Sequence, residues 1–219
     1  MADIELEPIE ELICELLTKI ADERPELCSD VYITGGWVRD KIMKVPSKDI
    51  DICVEECFMK PLISRMVSSL SILRRTDEYT LHRCVTGPNF KIEQEPISGY
   101  EVQVLYIYDT KGDMRSVDVR KLRNDKVEAD VYTRDFTINS LYYSVKQKKV
   151  IDPNANDQGL VDIENKMLRC VGTINETFDN SQSRYFRLLR FAVKLSFAID
   201  EEILAHVKAL DFKKDIYVN

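Results

Sequence analysis

The chain has 219 residues, of which 44% are hydrophobic and 32% are charged. This composition is typical of a globular protein, and it excludes disordered, collagen-like and low-complexity classes. No apolar run reaches the roughly 18–20 residues of a membrane-spanning helix. The net charge is −7, but the first thirty residues hold ten acidic and two basic residues, so the remainder is close to neutral. This distribution excludes a globally basic nucleic-acid binder and still permits an anionic ligand.

The six cysteines are scattered along the chain and form no C-x-x-C pair. They are Cys14, Cys28, Cys53, Cys57, Cys84 and Cys170. A zinc site is not expected from this spacing, and reduced thiols are the better interpretation. We see no signal peptide, and an acidic N-terminus is unlike a mitochondrial transit peptide. We therefore expect an intracellular, cytoplasmic protein with no membrane partner.

The first thirty residues predict an acidic amphipathic helix. Apolar side chains recur at helical spacing over residues 5–20, and the acidic residues fall on the opposite, solvated face. The apolar stripe consists of Ile9, Leu12, Ile13, Leu16, Leu17 and Ile20. We interpret this stripe as the face that packs on the domain, and a partner-binding helix is the alternative.

Short strands and helices alternate after this first helix. Val31-Tyr32-Ile33 predicts a strand that ends at Gly35-Gly36, and a helix is expected over residues 37–44. Asp49–Val54 alternates polar and apolar residues, which predicts a two-faced strand. The later expected elements are a helix at 58–73, strands at 79–85, 101–108 and 114–120, a loop at 86–99, a helical segment at 134–144 that passes into a strand pair at 142–151, and helices at 159–166, 183–196 and 200–210.

The Gly35-Gly36 turn is a candidate phosphate-binding site. Two glycines between a strand and a helix let the backbone approach a phosphate closely, and the helix N-terminus offers free N–H groups. Arg39 follows one turn later and adds a forked donor for phosphate oxygens. Taken alone, such a glycine pair is also consistent with a plain turn.

Asp49 and Asp51 form a candidate metal site. Residues two apart on a strand point to the same face, so both carboxylates project together while Ile50 and Ile52 point into the core. Two carboxylates held this close repel each other unless a cation lies between them. Oxygen ligands of this kind suit Mg²⁺. A solvated strand face is the alternative for Asp-x-Asp alone.

Together, a glycine turn and a carboxylate pair 13 residues later resemble the nucleotidyltransferase superfamily of the DNA polymerase β type. The sequence looks most like the class II tRNA nucleotidyltransferase (CCA-adding enzyme) and bacterial poly(A) polymerase family. Three further stretches match that family in order. They are Arg134-Asp135-Phe136-Thr137-Ile138-Asn139-Ser140-Leu141, Asp152-Pro153 with Gly159-Leu160-Val161-Asp162-Ile163, and Arg184-x-x-Arg187-x-x-Arg190-Phe191-Ala192.

This resemblance implies an α+β fold, in which a nucleotidyltransferase head with a mixed or antiparallel sheet flanked by helices precedes the start of an all-helical neck. The expected domains are the acidic helix at 1–30, the catalytic head at 31–152 and the beginning of the neck at 153–219. The family continues through further neck, body and tail helices, so a chain ending at Asn219 looks truncated relative to it.

The resemblance also implies roles for individual residues. Asp49 and Asp51 would be catalytic and would hold two Mg²⁺ ions. The implied nucleotide-binding residues are Gly35, Gly36, Arg39, Arg134, Asp135, Asn139, Arg184 and Arg187. Among them, Arg184 would contact the base. A row of arginines paired with the acidic N-terminal helix is the alternative interpretation of the Arg184, Arg187 and Arg190 spacing.

A third carboxylate is usual in this superfamily, as a metal ligand or as a base for the attacking hydroxyl. Asp118 is our candidate, because it lies on a predicted strand between Val117 and Val119 and so faces away from the core. Asp113 and Glu101 are competing candidates.

Three positions depart from the family pattern, and the two in the neck motif bear on specificity. The neck motif of the family is Glu-Asp-x-x-Arg, in which Asp and Arg select the incoming base, whereas this chain has Asn180 and Ser181 before Arg184. A hydroxyl donates and accepts ambiguously, so strict C-then-A selection is in question. Thr133 stands where the family usually has the first Arg of its second motif.

The implied function is RNA 3′-terminal nucleotidyl transfer, with CCA or part of it added to tRNA from ATP and CTP and pyrophosphate released. A poly(A) polymerase-like A-adding enzyme is one alternative. Another is a non-catalytic or partner-dependent head that binds nucleotide or RNA and needs a protein partner or missing C-terminal helices.

The remaining polar and aromatic residues are expected to be structural. His82 and His206 have no carboxylate or serine at a useful spacing. Trp37 is expected to pack beside the glycine turn, with base stacking as the alternative. Of Tyr142 and Tyr143, one is expected to point into the core and one out of it.

Overall fold

The computed structural model describes residues 4–73, 79–84, 103–109 and 114–210. Its α-helices are α1 Pro8–Asp22, α2 Gly36–Ile42, α3 Glu56–Leu73, α4 Val127–Asp130, α5 Gln158–Glu164, α6 Ile174–Asn180, α7 Ser183–Leu195 and α8 Glu201–Ala209. Its strands are β1 Tyr32–Thr34, β2 Asp49–Val54, β3 Tyr79–Cys84, β4 Gln103–Asp109, β5 Met114–Lys121, β6 Tyr142–Ser144, β7 Lys149–Ile151, β8 Met167–Leu168 and β9 Ala198–Ile199. In these ranges, no helix is long and apolar enough to cross a bilayer.

One seven-stranded sheet forms the centre of the fold, in the order β3-β4-β5-β2-β1-β6-β7. Within this sheet β2 and β5 pair in parallel, and the other described neighbours pair antiparallel. The predicted α+β class and mixed sheet are therefore confirmed. The expected strands at 79–85, 101–108 and 114–120 are present with ends shifted by a few residues, whereas the expected loop at 86–99 lies outside the described residues.

The apolar face of the sheet is covered by α1 and α3. Ile50 and Ile52 of β2 are buried in this core, as their alternation with Asp49 and Asp51 predicts. The apolar stripe of α1 packs against α3. One acid of α1 departs from the predicted solvated face, because Glu10 is only 1% exposed and accepts a hydrogen bond from the Trp37 indole. The packing role predicted for Trp37 is confirmed by its complete burial.

The predicted helical segment at 134–144 is wrong. The backbone there makes only a single 3-10 turn, Thr137–Asn139, before β6 begins. Side chains compete with helical hydrogen bonds: Asp135 Oδ1 accepts the Phe136 N–H at 2.8 Å, and Ser140 Oγ donates to the Thr137 carbonyl at 2.7 Å. The predicted split of Tyr142 and Tyr143 is also wrong, because both faces of β6 are covered and both rings are buried.

The chain after residue 152 is mostly helical, as expected, but it contains two elements that were not predicted. These are α6 and the two-residue parallel pair β8–β9. α6 begins with a capping box, in which Thr173 and Glu176 exchange side-chain and backbone hydrogen bonds. His206 has the structural role predicted for it, since its ring stacks on Phe178 and its Nε2 lies 2.9 Å from the Tyr185 hydroxyl.

Candidate active site

An open cleft of about 1230 Å³ lies where the glycine turn, the ends of β2 and β5 and the helix α7 meet. All eleven residues predicted for the site line it. The predicted residues at its wall are Gly35, Gly36, Arg39, Asp49, Asp51, Asp118, Arg134, Asp135, Asn139, Arg184 and Arg187. Residues far apart in the sequence are therefore brought to one cavity.

Gly35 is required by the shape of the turn. Its φ of +73° lies in the left-handed region, where a side chain is strained. A Cβ at this position would stand 2.7 Å from Asp51 Oδ2 and 3.8 Å from Arg134 Nη1. The backbone of the turn therefore runs directly against the carboxylate, and α2 starts at the next residue.

The carboxylates of Asp51 and Asp118 lie on neighbouring strands in direct register. The parallel pairing of β2 with β5 sets Asp51 opposite Asp118 and Asp49 opposite Ser116. Ser116 Oγ donates to Asp118 Oδ1 at 3.0 Å. The register therefore brings Asp118, the candidate third carboxylate, beside Asp51. The competing candidates Asp113 and Glu101 lie outside the described residues.

Burial is the main reason why the pKa values of Asp51 and Asp118 are raised above the ordinary value for a carboxyl group. For Asp51, the Arg120 guanidinium opposes this shift and the Asp49 carboxylate adds to it. For Asp118, the Ser116 hydrogen bond opposes the shift, while Asp51 and Asp49 add to it. The cluster is thus a concentration of negative charge that a cation would relieve.

Within the described ranges, no three Asp, Glu, His or Cys side chains converge into a ready-made metal cage. The arrangement suits a hard cation that keeps part of its shell for other ligands. Mg²⁺ is usually bound by one or two carboxylates together with substrate phosphates. Asp49, which is exposed at the rim, and the half-buried Asp51 and Asp118 provide such oxygen donors.

A hydrogen-bonded chain links the glycine-turn helix to α7. Arg39 Nη1 donates to Asn139 Oδ1 at 2.5 Å, and Asn139 Nδ2 donates to Asp135 Oδ1 at 3.1 Å. Asp135 Oδ2 then accepts from Arg187 Nε at 2.6 Å. The alternative that Arg187 pairs with the acidic N-terminal helix is therefore wrong. Arg39 also donates twice to Asp40 Oδ1, at 2.8 Å and 2.6 Å.

Asp130 organises a second polar cluster that the sequence analysis missed. Its fully buried carboxylate accepts from Arg120 Nη1 at 2.9 Å and Nη2 at 2.6 Å, from the Tyr142 hydroxyl at 2.6 Å and from Arg134 Nη2 at 3.3 Å. One carboxylate thus fixes two of the guanidinium groups that line the cleft. The one sequence pattern that could have predicted this ion pair is the four-residue spacing between Asp130 and Arg134.

Arg184 is anchored by backbone carbonyls. Its Nη1 donates to the Thr177 carbonyl at 2.9 Å, and its Nη2 donates to the Thr133 carbonyl. Burial lowers the pKa of its guanidinium below the ordinary value. Ser181 Oγ lies 2.7 Å from Ser183 Oγ, so the position that departs from the family pattern is occupied by a hydroxyl pair.

Phe191 is a second feature that the sequence analysis left without a role. Its buried ring lies 5.2 Å from the Arg39 guanidinium carbon, 5.3 Å from that of Arg187 and 5.0 Å from that of Arg190. Such distances allow cation–π attraction. The ring therefore holds three cations together at the cleft wall.

Comparisons with known proteins agree with this geometry. Residues 31–169 match the poly(A) polymerase head domain family. The chain is 30% identical to tRNA nucleotidyltransferase cca1 of Schizosaccharomyces pombe over 82% of this chain and 36% of that protein. It is 31% identical to the CCA-adding enzyme of Streptococcus sanguinis over 82% of this chain and 40% of that protein.

Solved structures share the fold. A CCA-adding enzyme in its apo form superposes with a TM-score of 0.68 and 22% identity, over 93% of this chain and 43% of that one. The Thermotoga maritima CCA-adding enzyme complexed with tRNA gives a TM-score of 0.62 and 24% identity, over 90% of this chain and 40% of that one. The chain spans less than half the length of these relatives. The family match and the relatives together establish that the chain belongs to the poly(A) polymerase head domain family of nucleotidyltransferases.

Proposed function

We propose that this chain carries the catalytic site of an RNA 3′-terminal nucleotidyltransferase that adds CCA, or part of it, to tRNA. The observation that carries the proposal is the register pair Asp51–Asp118, set directly against the Gly35 turn. A phosphate-binding turn next to paired carboxylates suits transfer of a nucleotidyl group. The names of the relatives, tRNA nucleotidyltransferase and CCA-adding enzyme, supply the substrate class.

We assign Mg²⁺ to the carboxylates Asp49, Asp51 and Asp118. Two such ions, when bound, would neutralise triphosphate charge and lower the pKa of the RNA 3′-hydroxyl. The oxygen-only donor set and the mutual repulsion of the carboxylates support this choice. ATP and CTP are the proposed nucleotide substrates.

The other cleft residues would bind and orient the nucleotide. Gly35 and Gly36 bring backbone N–H groups to the triphosphate, and Arg39 supplies charge beside them. Arg134, whose Nη1 would lie 3.8 Å from a Cβ at Gly35, is proposed to contact the same phosphates. Positioning of this kind supplies most of the catalysis in phosphoryl-type transfers.

A second group of side chains is assigned to the sugar and the base. Asp135 and Asn139, tied to Arg187, are proposed to set the position of the ribose. Arg184 is proposed to contact the base. Its two hydrogen bonds to carbonyls hold the guanidinium in place, which supports a fixed base contact.

We propose the division into an acidic helix at 1–30, a catalytic head at 31–152 and the beginning of a neck at 153–219. An intracellular, cytoplasmic location is also proposed, supported by the free thiols of the five described cysteines. Two relatives are named as mitochondrial, so a fluorescent fusion with a mitochondrial counterstain is the test.

An extension assay tests the proposal. The purified chain, Mg²⁺ and each labelled nucleoside triphosphate are mixed with tRNA lacking its 3′ CCA. Ordered addition of C, C and A with pyrophosphate release is the expected result. Addition of A alone would indicate an A-adding enzyme instead.

A partner-dependent binding head is the second candidate function. The observation that favours it is the Ser181–Ser183 hydroxyl pair at the position where the family has a base-selecting carboxylate. Nucleotide binding without incorporation in the extension assay would favour this candidate, and incorporation on addition of a helical partner fragment would identify what is missing.

A further inference from the structure

Tyr132 presents an exposed aromatic ring inside the cleft. Its side chain is 61% exposed. Among the large hydrophobic side chains that are exposed in the described ranges, it alone lines the cleft. The others lie elsewhere on the surface: Val45, Val161, Phe186, Leu189, Val193 and Leu204.

The backbone on both sides of this ring is fixed. Tyr132 is the middle residue of the 3-10 turn Val131–Thr133, and Val131 is buried. Thr133 Oγ1 donates to the Asp130 carbonyl at 2.7 Å, and the Thr133 carbonyl accepts from Arg184. These contacts therefore fix the backbone of the turn that carries the ring.

Gly172 lies beside the ring. A Cβ at Gly172 would lie 3.8 Å from Tyr132 Cδ1, and the φ of +71° at that position favours glycine. The cleft that the ring lines also holds guanidinium groups, including those of Arg123, Arg134 and Arg184. A flat aromatic surface among guanidinium groups is the combination that binds nucleotides, with stacking for the base and charge for the phosphates.

We propose that Tyr132 is a stacking platform for a nucleobase, an inference that rests on the proposed function. The base belongs either to the incoming nucleoside triphosphate or to the 3′ end of the acceptor RNA. Both present the same planar ring, and every base has a face that can stack. An exposed tyrosine is ordinary on a protein surface, but its place in the cleft beside Arg184 sets this one apart.

Equilibrium binding to variants of the full 219-residue chain tests the inference. Tyr132→Ala removes the ring, Tyr132→Phe keeps it without the hydroxyl, and Phe186→Ala removes an aromatic ring of 54% exposure that lies outside the cleft. The probes are ATP and CTP with Mg²⁺, and a short RNA ending in CC. Thermal unfolding confirms that each variant is folded, as expected for an exposed side chain.

We expect Tyr132→Ala to weaken binding by about 5- to 150-fold, the range that stacking on an aromatic residue is worth. Tyr132→Phe and Phe186→Ala are expected to bind like the original chain. If Tyr132→Ala weakens the binding of ATP and CTP alone, the base of the incoming nucleotide stacks on the ring. If it weakens the binding of RNA alone, the acceptor base stacks there. Either loss supports the inference.

Binding of Tyr132→Ala within twofold of the original chain for both kinds of probe would overturn the inference, as would a Tyr132→Phe variant as weak as Tyr132→Ala. Absence of binding by the original chain would overturn it too. The measurement follows binding alone and does not depend on nucleotide incorporation. A chain that binds through Tyr132 but incorporates no nucleotide would keep the stacking role and reject the proposed catalysis.

Discussion

The indole Nε1 of Trp37 donates a 2.9 Å hydrogen bond to Oε1 of Glu10, although 27 residues separate them in the sequence. Both side chains are almost completely buried. The second oxygen of Glu10 lies 2.5 Å from Lys41 Nζ. Because Trp37 and Lys41 both belong to α2, the acidic N-terminal helix is tied to the helix that follows the glycine turn.

Glu10→Ala is predicted to destabilise the chain by about 3 kcal/mol, since it leaves a buried indole N–H without its partner and takes the nearer of two carboxylates from the Lys41 ammonium. Urea unfolding measures this change, with the single tryptophan as the fluorescent reporter. Glu11→Ala, at the exposed neighbouring position, is the matched control and is expected to change stability by less than about 0.5 kcal/mol. Equal effects of the two substitutions would refute the role of Glu10.

Gly35→Ala is predicted to abolish detectable binding of ATP with Mg²⁺. The added Cβ would meet Asp51 Oδ2 at 2.7 Å, and the left-handed backbone would add about 1–2 kcal/mol of strain. Isothermal titration calorimetry measures the binding. Lys148→Ala is the control, because Lys148 also has a positive φ, of 52°, but does not line the cleft. Retained binding in Gly35→Ala would contradict a phosphate role for the turn.

Asp130→Asn is predicted to cost about 3 kcal/mol of folding free energy, because Arg120 and Arg134 lose the buried charge that fixes them. Tyr142→Phe removes only one donor from the same carboxylate and is expected to cost about 1 kcal/mol. Chemical denaturation compares the two. A cost for Asp130→Asn no larger than that for Tyr142→Phe would show that the arginines do not depend on Asp130.

Asp118→Asn is predicted to stabilise the metal-free chain at pH 7. The folded-state pKa of Asp118 is raised above 3.8, so its ionised form is disfavoured in the folded state and lowers stability at pH values above that raised pKa. The penalty disappears as pH falls below 3.8, where the carboxyl is protonated in both states. Thermal unfolding of both chains between pH 3.5 and 7.5 should therefore give curves that converge at the acid end. Parallel curves would argue against a raised pKa for Asp118 in the folded chain.

Local patterns predicted much of the site. The i, i+2 alternation placed Asp49 and Asp51 on one face and Ile50 in the core, because strand periodicity depends only on neighbouring residues. The strand around Asp118 was predicted for the same reason. The direct register of Asp118 with Asp51 was not predicted, because this parallel pairing joins residues 67 positions apart in the sequence.

Long-range side-chain pairs were beyond the sequence patterns. The burial of Glu10 depends on a tryptophan in another element, and the contact of Arg184 with the Thr133 carbonyl joins residues 51 apart. The sequence predicted a helix near Phe136, but local side-chain hydrogen bonds prevailed over helical propensity. Exposure of Tyr132 likewise follows from how its turn packs and not from its residue type.

Single-turnover incorporation of labelled CMP and AMP into tRNA lacking its 3′ CCA is the most direct test of catalysis at the Asp51–Asp118 pair. Asp51→Ala is compared with Asp22→Ala, an exposed aspartate on α1 outside the cleft. We predict Mg²⁺-dependent addition that falls by about 10³-fold or more in Asp51→Ala, with folding intact, and is unchanged in Asp22→Ala. Incorporation by Asp51→Ala at the rate of the original chain would contradict the account.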